Sequence, residues 1–120
     1  MQPLRVLVAE DQALLRAGLI GILENDGIDV VAQAADAEDL MRKARAHKPD
    51  VVVTDVQMPP DHTDDGLRAA VQIREELPDT AVLVLSQYLE ESYALALVGD
   101  DAAGVGYLLK DRVGDVATFL

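Results

Sequence analysis

The chain has 120 residues, of which ten are Lys or Arg and 22 are Asp or Glu, giving a net charge of −12. That sign is wrong for a surface that neutralises nucleic-acid phosphates, which excludes direct DNA or RNA contact by this chain. The length predicts one domain over 1–120; with 50% hydrophobic but only 3% aromatic residues, the core is expected to be Val, Leu, Ile and Ala.

The first residues, Met1-Gln2-Pro3-Leu4-Arg5, lead into an apolar run at 4–9 that is neither a signal peptide nor a membrane span, so a cytoplasmic, non-membrane protein is expected. The absence of cysteine removes disulfides, thiolate metal sites and cysteine nucleophiles, and fits a reducing interior. Glu10 and Asp11 follow the first run. Next comes a stretch with Leu14, Leu15, Gly18, Leu19, Ile22 and Leu23 at helical spacing on one face, with Asn25 and Gly27 near its stop. A second apolar run, 29–34, precedes a helix expected over 36–46, with Asp36 as cap and Pro49 beyond its end. His47, beside that end, reads as a surface residue or a helix-terminal charge. A third run, 51–55, ends in Asp55, and a helix starting at Asp65 or Gly66 runs to Glu76, closed by Pro78. The run 81–86 ends in Ser86, a helix covers 90–99, the run 105–110 ends in Lys110, and 113–120 begins a fifth helix. All five runs read as too apolar for half-exposed strands.

Strand and helix alternate, which predicts a parallel sheet with right-handed crossovers and helices on both faces. Function then belongs at the carboxyl ends of the strands, beside a topological switch point. There the sequence puts Glu10, Asp11, Asp55, Ser86 and Lys110. Gathering three carboxylates is unfavourable: two like charges about 4 Å apart repel by roughly 4 kcal/mol at an effective dielectric of about 20. A divalent cation offsets that field, and oxygen-only donors in a small site suit Mg²⁺. With Mg²⁺ bound, Asp55 stays ionised and can take a phosphoryl group as an acyl phosphate. Lys110 supplies a positive charge for Asp55 and then for the phosphoryl oxygens, Ser86 a hydroxyl donor, and the amides after Asp55 further donors. Singly, each has an ordinary reading: Asp55 as a cap or turn former, Glu10-Asp11 as an acidic helix opening, Lys110 as a solvated charge. Their joint placement carries the functional one.

The stretches Val6-Leu7-Val8-Ala9-Glu10-Asp11, Val51-Val52-Val53-Thr54-Asp55-Val56-Gln57-Met58-Pro59, Asp65-Gly66, Val84-Leu85-Ser86 and Gly106-Tyr107-Leu108-Leu109-Lys110-Asp111 resemble the receiver domains of two-component response regulators, the last being similar to the NarL/LuxR-type subgroup. The resemblance covers essentially the whole chain. It implies a flavodoxin-like, doubly wound, five-stranded parallel sheet in the order 2-1-3-4-5. It implies Asp55 as phosphoacceptor, Asp11 as a direct Mg²⁺ ligand, Glu10 as a ligand through water, and the Gln57 backbone carbonyl as a further ligand. Lys110 would bind phosphate, and Ser86 and Tyr107 would be the switch pair, although Tyr107 also reads as a partly exposed strand residue.

A cognate histidine kinase is the implied partner, a homodimer the implied assembly, and control of transcription through a helix-turn-helix output domain the implied role. The domain would catalyse its own phosphorylation and dephosphorylation without being an enzyme in the usual sense. The chain departs from the pattern in an enlarged loop at 60–64, where His62 reads as a solvated residue. Its end within the fifth helix reads as a truncation before the output domain.

Three rivals compete. A phosphatase resembling haloacid dehalogenases needs a second Asp where Gln57 stands. A flavin-binding module needs a Gly-, Ser- or Thr-rich loop where Glu10 and Asp11 stand. A receiver that has lost phosphorylation conflicts with the complete acid set and Lys110.

Overall fold

The computed structural model describes residues 3–55, 65–86 and 105–109, with Ser86 and 105–109 described by their backbone. Strand β1 (Arg5–Ala9) is followed by α1 (Ala13–Asn25), β2 (Asp29–Ala34), α2 (Ala37–His47), β3 (Val51–Asp55), α3 (Asp65–Glu76), β4 (Ala81–Ser86) and β5 (Val105–Leu109). The strands β2-β1-β3-β4 form a parallel sheet, and the β5 backbone pairs beside β4. The expected helices at 90–99 and 113–120 lie outside the described residues.

Topology decides which helix covers which face. From β1 the chain steps outward to β2, then returns past β1 to β3 and continues to β4. Right-handed crossovers in opposite directions put their helices on opposite faces. Leu19 and Leu23 of α1 accordingly pack on Val6, Val8, Val51 and Val53, whereas Leu40, Met41 and Ala44 of α2 and Ala70 and Ile73 of α3 pack on Leu7, Val52, Val82 and Val84. The reversal falls between β1 and β3, where a doubly wound sheet opens its binding crevice.

The local signals for α1 and α2 hold at their ends. Asp36 caps α2, its Oδ1 accepting from the Asp39 amide at 2.7 Å. Lys48 closes that helix in the left-handed region at φ 45°, its amide donating to the Ala44 carbonyl. Gly27, at φ +80°, turns the chain out of α1, and the Ile28 amide returns to the Leu23 carbonyl at 3.1 Å. His47 ends α2 in its basic last turn, exposed, as expected. Replacing Asp36 with Ala is expected to cost about 1 kcal/mol, measured as a fall of about 4 °C in Tm.

Two expectations about burial need correction. The run 29–34 was expected to be fully buried, yet Asp29 and Gln33 are exposed and Val30, Val31 and Ala32 half-buried, because β2 is an edge strand of the sheet. Leu14 was placed on the apolar face of α1 but is 88% exposed. The arc of α1 that meets the sheet is narrower than its apolar content, and runs through Leu15, Leu19 and Leu23.

The covering helices also meet each other. Arg45 of α2 forms a bond pair to Glu76 of α3 at 2.9 and 3.2 Å, and this guanidinium holds the Glu76 carboxyl below its ordinary range. Asp39 is likewise held low, chiefly by its hydrogen bond from Lys43. The Arg45–Glu76 pair is exposed and the Lys43–Asp39 pair half-buried at the surface, where solvent screens such pairs, so they orient side chains more than they stabilise the fold. No helix among the described residues is long and apolar enough to cross a membrane.

Candidate functional site

The site is built by strand register. In the parallel pair β1 and β3, Val6 lies opposite Val51 and Ala9 opposite Thr54. One more step along each strand sets Glu10 level with Asp55. Side chains alternate along a strand, so Glu10 follows Val6 and Val8 on the α1 face and Asp55 follows Val51 and Val53 on the same face. The fold thereby brings two acids from distant segments to one point of the sheet edge, and Asp11 enters from the adjoining turn.

The three carboxylates do converge. Glu10, Asp11 and Asp55 each present an oxygen within 4.8 Å of those of the other two. Glu10 is fully buried at 0% exposure, Asp55 is 2% exposed and Asp11 is half-buried. Burial of like charges at this separation is costly, and the donor set is oxygen alone, which fits a hard divalent cation of the Mg²⁺ kind.

The ordinary reading of Glu10 and Asp11 as a helix opening does not hold. Helix α1 begins at Ala13 behind Gln12, has no acid in its first turn, and has no side-chain cap bond. The acids belong to the strand end and turn.

Their backbone is held on several sides. The Glu10 amide donates to the Ala34 carbonyl of β2 at 2.9 Å. The Asp11 amide donates to Glu10 Oε2 at 3.0 Å. Arg16 Nη1 donates to the Glu10 carbonyl at 2.7 Å, while Arg16 Nε donates to Gln33 Oε1 at 2.9 Å. On β3, the buried Thr54 hydroxyl donates to the Asp55 carbonyl at 3.1 Å. At the start of α3, Asp65 is buried with a carboxylate oxygen 3.4 Å from Arg68.

Sequence reading did not single out Arg16 or Thr54. A base in the opening turns of a helix that has no early acid is the only signal Arg16 offered, and Thr54 read as one more strand residue.

Of the other expected site residues, Ser86 ends β4 one step past Leu85, the register partner of Asp55, so its backbone lies at the same end of the sheet. Tyr107 pairs with Val84 on the neighbouring strand. Gln57, His62, the loop 60–64 and Lys110 lie outside the described residues.

The sequence profile of the response regulator receiver domain family matches residues 6–115. This chain belongs to that family. The receiver domain is 37% identical over 109 residues to the oxygen regulatory protein NreC of Staphylococcus haemolyticus, covering 90% of this chain and 48% of NreC. NreC of Staphylococcus carnosus matches to the same extent. The chain thus spans about half the length of these relatives. Among solved structures, the signal receiver domain of NarL from Mycobacterium tuberculosis superposes with a TM-score of 0.82 at 33% identity, covering 99% of this chain and 94% of that one. A LuxR-family two-component response regulator from Aurantimonas superposes with a TM-score of 0.82 at 27% identity, covering 98% and 81%. These neighbours set the receiver domain in the NarL/LuxR-type subgroup.

Proposed function

We propose that this receiver domain is the phosphorylation-dependent switch of a two-component system, accepting a phosphoryl group on Asp55 from a partner histidine kinase. The observation that carries the reading is the convergence of the Glu10, Asp11 and Asp55 oxygens within 4.8 Å at the switch point of the sheet. A nucleophilic carboxylate beside two others, in a receiver-family chain, suits acceptance of phosphate far better than binding of an anionic cofactor.

In the proposed step an Asp55 carboxylate oxygen attacks the donor phosphorus, and the bond from phosphorus to the kinase imidazole, or to the acetate of acetyl phosphate, breaks as the acyl phosphate forms. Asp11 and Asp55 would hold Mg²⁺ directly, Glu10 through water and Gln57 by its carbonyl. Bound there, Mg²⁺ supplies charge neutralisation for the phosphoryl oxygens. Lys110 would pair with Asp55 before transfer and with the phosphoryl group after it, and the Ser86 hydroxyl would donate to the same group. The domain would catalyse both this transfer and the later hydrolysis of its own acyl phosphate, in which water attacks phosphorus, the bond to the Asp55 oxygen breaks, and inorganic phosphate leaves the free carboxylate.

For the output, Ser86 and Tyr107 shift together and bias the surface of the fourth helix and fifth strand between two arrangements. The finer architecture belongs to this reading: a doubly wound sheet in the order 2-1-3-4-5, completed by the fourth and fifth helices. That surface would control homodimerisation or a helix-turn-helix output domain that contacts DNA, in a cytoplasmic transcription regulator. The NarL and LuxR-family neighbours and the half-length match to NreC support it.

The test is intact-mass measurement after incubation with acetyl phosphate. A gain of one phosphoryl group that requires Mg²⁺ and disappears in EDTA is expected. No gain from any donor, the histidine kinase included, would leave an interaction module that does not accept phosphate.

A further inference from the structure

The Glu10–Asp11 peptide joins two of the three clustered acids, and both of its polar ends are engaged. Its N–H donates to Glu10 Oε2 at 3.0 Å, and its carbonyl accepts from Arg16 Nη1 at 2.7 Å. The two bonds together restrain that peptide, from whose flanking Cα atoms both carboxylates branch. Arg16 is itself anchored, because its Nε donates to Gln33 Oε1 at 2.9 Å on the edge strand. Gln33 in turn accepts at its own carbonyl from Lys43 Nζ, and Lys43 pairs with Asp39 at 2.9 Å. A half-buried guanidinium on α1 therefore links the acid turn to β2 and, through Gln33, to α2.

We infer that Arg16 is a positioning residue for the cation site, holding the Glu10–Asp11 peptide so that both side chains face Asp55. The inference rests on the proposed Mg²⁺ reading of that site. It runs against the simplest electrostatic expectation. A positive charge beside three carboxylates competes with a bound cation, so by charge alone its removal would tighten Mg²⁺ binding. By positioning, its removal loosens the turn and weakens binding, as loss of an outer hydrogen bond to a ligand commonly does. The two roles of Arg16 predict opposite signs.

The experiment titrates Mg²⁺ into the whole chain by calorimetry, for the wild type, Arg16→Met and Arg16→Lys. Met keeps most of the aliphatic stem without a donor, whereas Lys keeps a charged donor for one bond. Arg16→Met is expected to raise the Mg²⁺ Kd about tenfold, with Arg16→Lys between it and the wild type. In metal-free protein the Asp11 amide resonance is expected to move in Arg16→Met while those of Val52 and Val53 on β3 stay in place. A loss of amide dispersion across the spectrum would show that Arg16→Met does not fold, and Arg16→Lys then carries the comparison. Equal or tighter Mg²⁺ binding by a folded Arg16 variant overturns the positioning role while leaving the site reading intact. Absence of Mg²⁺ binding by the wild type overturns both.

Discussion

Asp55→Asn is expected to abolish the Mg²⁺-dependent gain of a phosphoryl group while leaving the domain folded. Asn is nearly isosteric at the end of β3, so the pairing of Asp55 with Leu85 and the packing of Val51 and Val53 have no reason to change. What changes is chemistry: a neutral amide is a poor nucleophile toward phosphorus and contributes no charge to the acid cluster. Two unit charges at about 4 Å interact by roughly 4 kcal/mol at an effective dielectric of about 20, and a divalent cation's attraction to each carboxylate at that distance is about twice as large before solvent competes. Loss of one of three charges is therefore expected to weaken Mg²⁺ by at least about tenfold, about 1.4 kcal/mol. Intact mass, calorimetry and a thermal melt check the three parts. A phosphoryl gain that survives in Asp55→Asn would move the acceptor elsewhere in the chain.

Leu40→Ala is expected to have the largest effect on stability. Leu40 is fully buried on α2, in the cluster it forms with Leu7 and Val52 of the sheet and Ile73 of α3. Deleting most of a buried Leu side chain costs about 2–5 kcal/mol, because the transfer free energy is lost and the cavity collapses only in part. Against a total of about 5–15 kcal/mol this is a large share, and it corresponds to a fall in Tm of about 8–20 °C. Leu14→Ala is the paired control. At 88% exposure Leu14 lies off the packed arc of α1, and its truncation is expected to change stability by no more than about 0.5 kcal/mol. Urea denaturation of both variants decides the matter, and a Leu14→Ala cost as large as that of Leu40→Ala would restore Leu14 to the core.

These two leucines illustrate where sequence reading succeeded and where it stopped. Apolar runs of five or six residues between helical stretches reveal β1 to β4 because a buried parallel strand is apolar on both faces. Bounds at 29–34, 51–55 and 81–86 match the observed strands, and the Asp36 cap matches the observed start of α2. Helical periodicity, by contrast, marks an apolar arc without its width, so Leu14 and Leu19 looked alike until the sheet was in place. Strand composition likewise cannot tell a central strand from an edge one, and so β2 was expected to be more buried than it is.

At the site, the identities of Glu10, Asp11 and Asp55 and their positions at strand ends were legible in the chain, because each follows a recognisable apolar run. Their meeting within 4.8 Å depends on β1 lying beside β3 in a register that sets Glu10 level with Asp55. That adjacency is a property of strand order, which arises when the sheet buries both faces at once. The link from Arg16 to Gln33 has the same origin. The two residues are 17 positions apart and carry no shared pattern, and they meet only because β2 pairs on the outer side of β1. Local chemistry is written in consecutive residues, whereas contacts between strands require the whole chain to have chosen its neighbours.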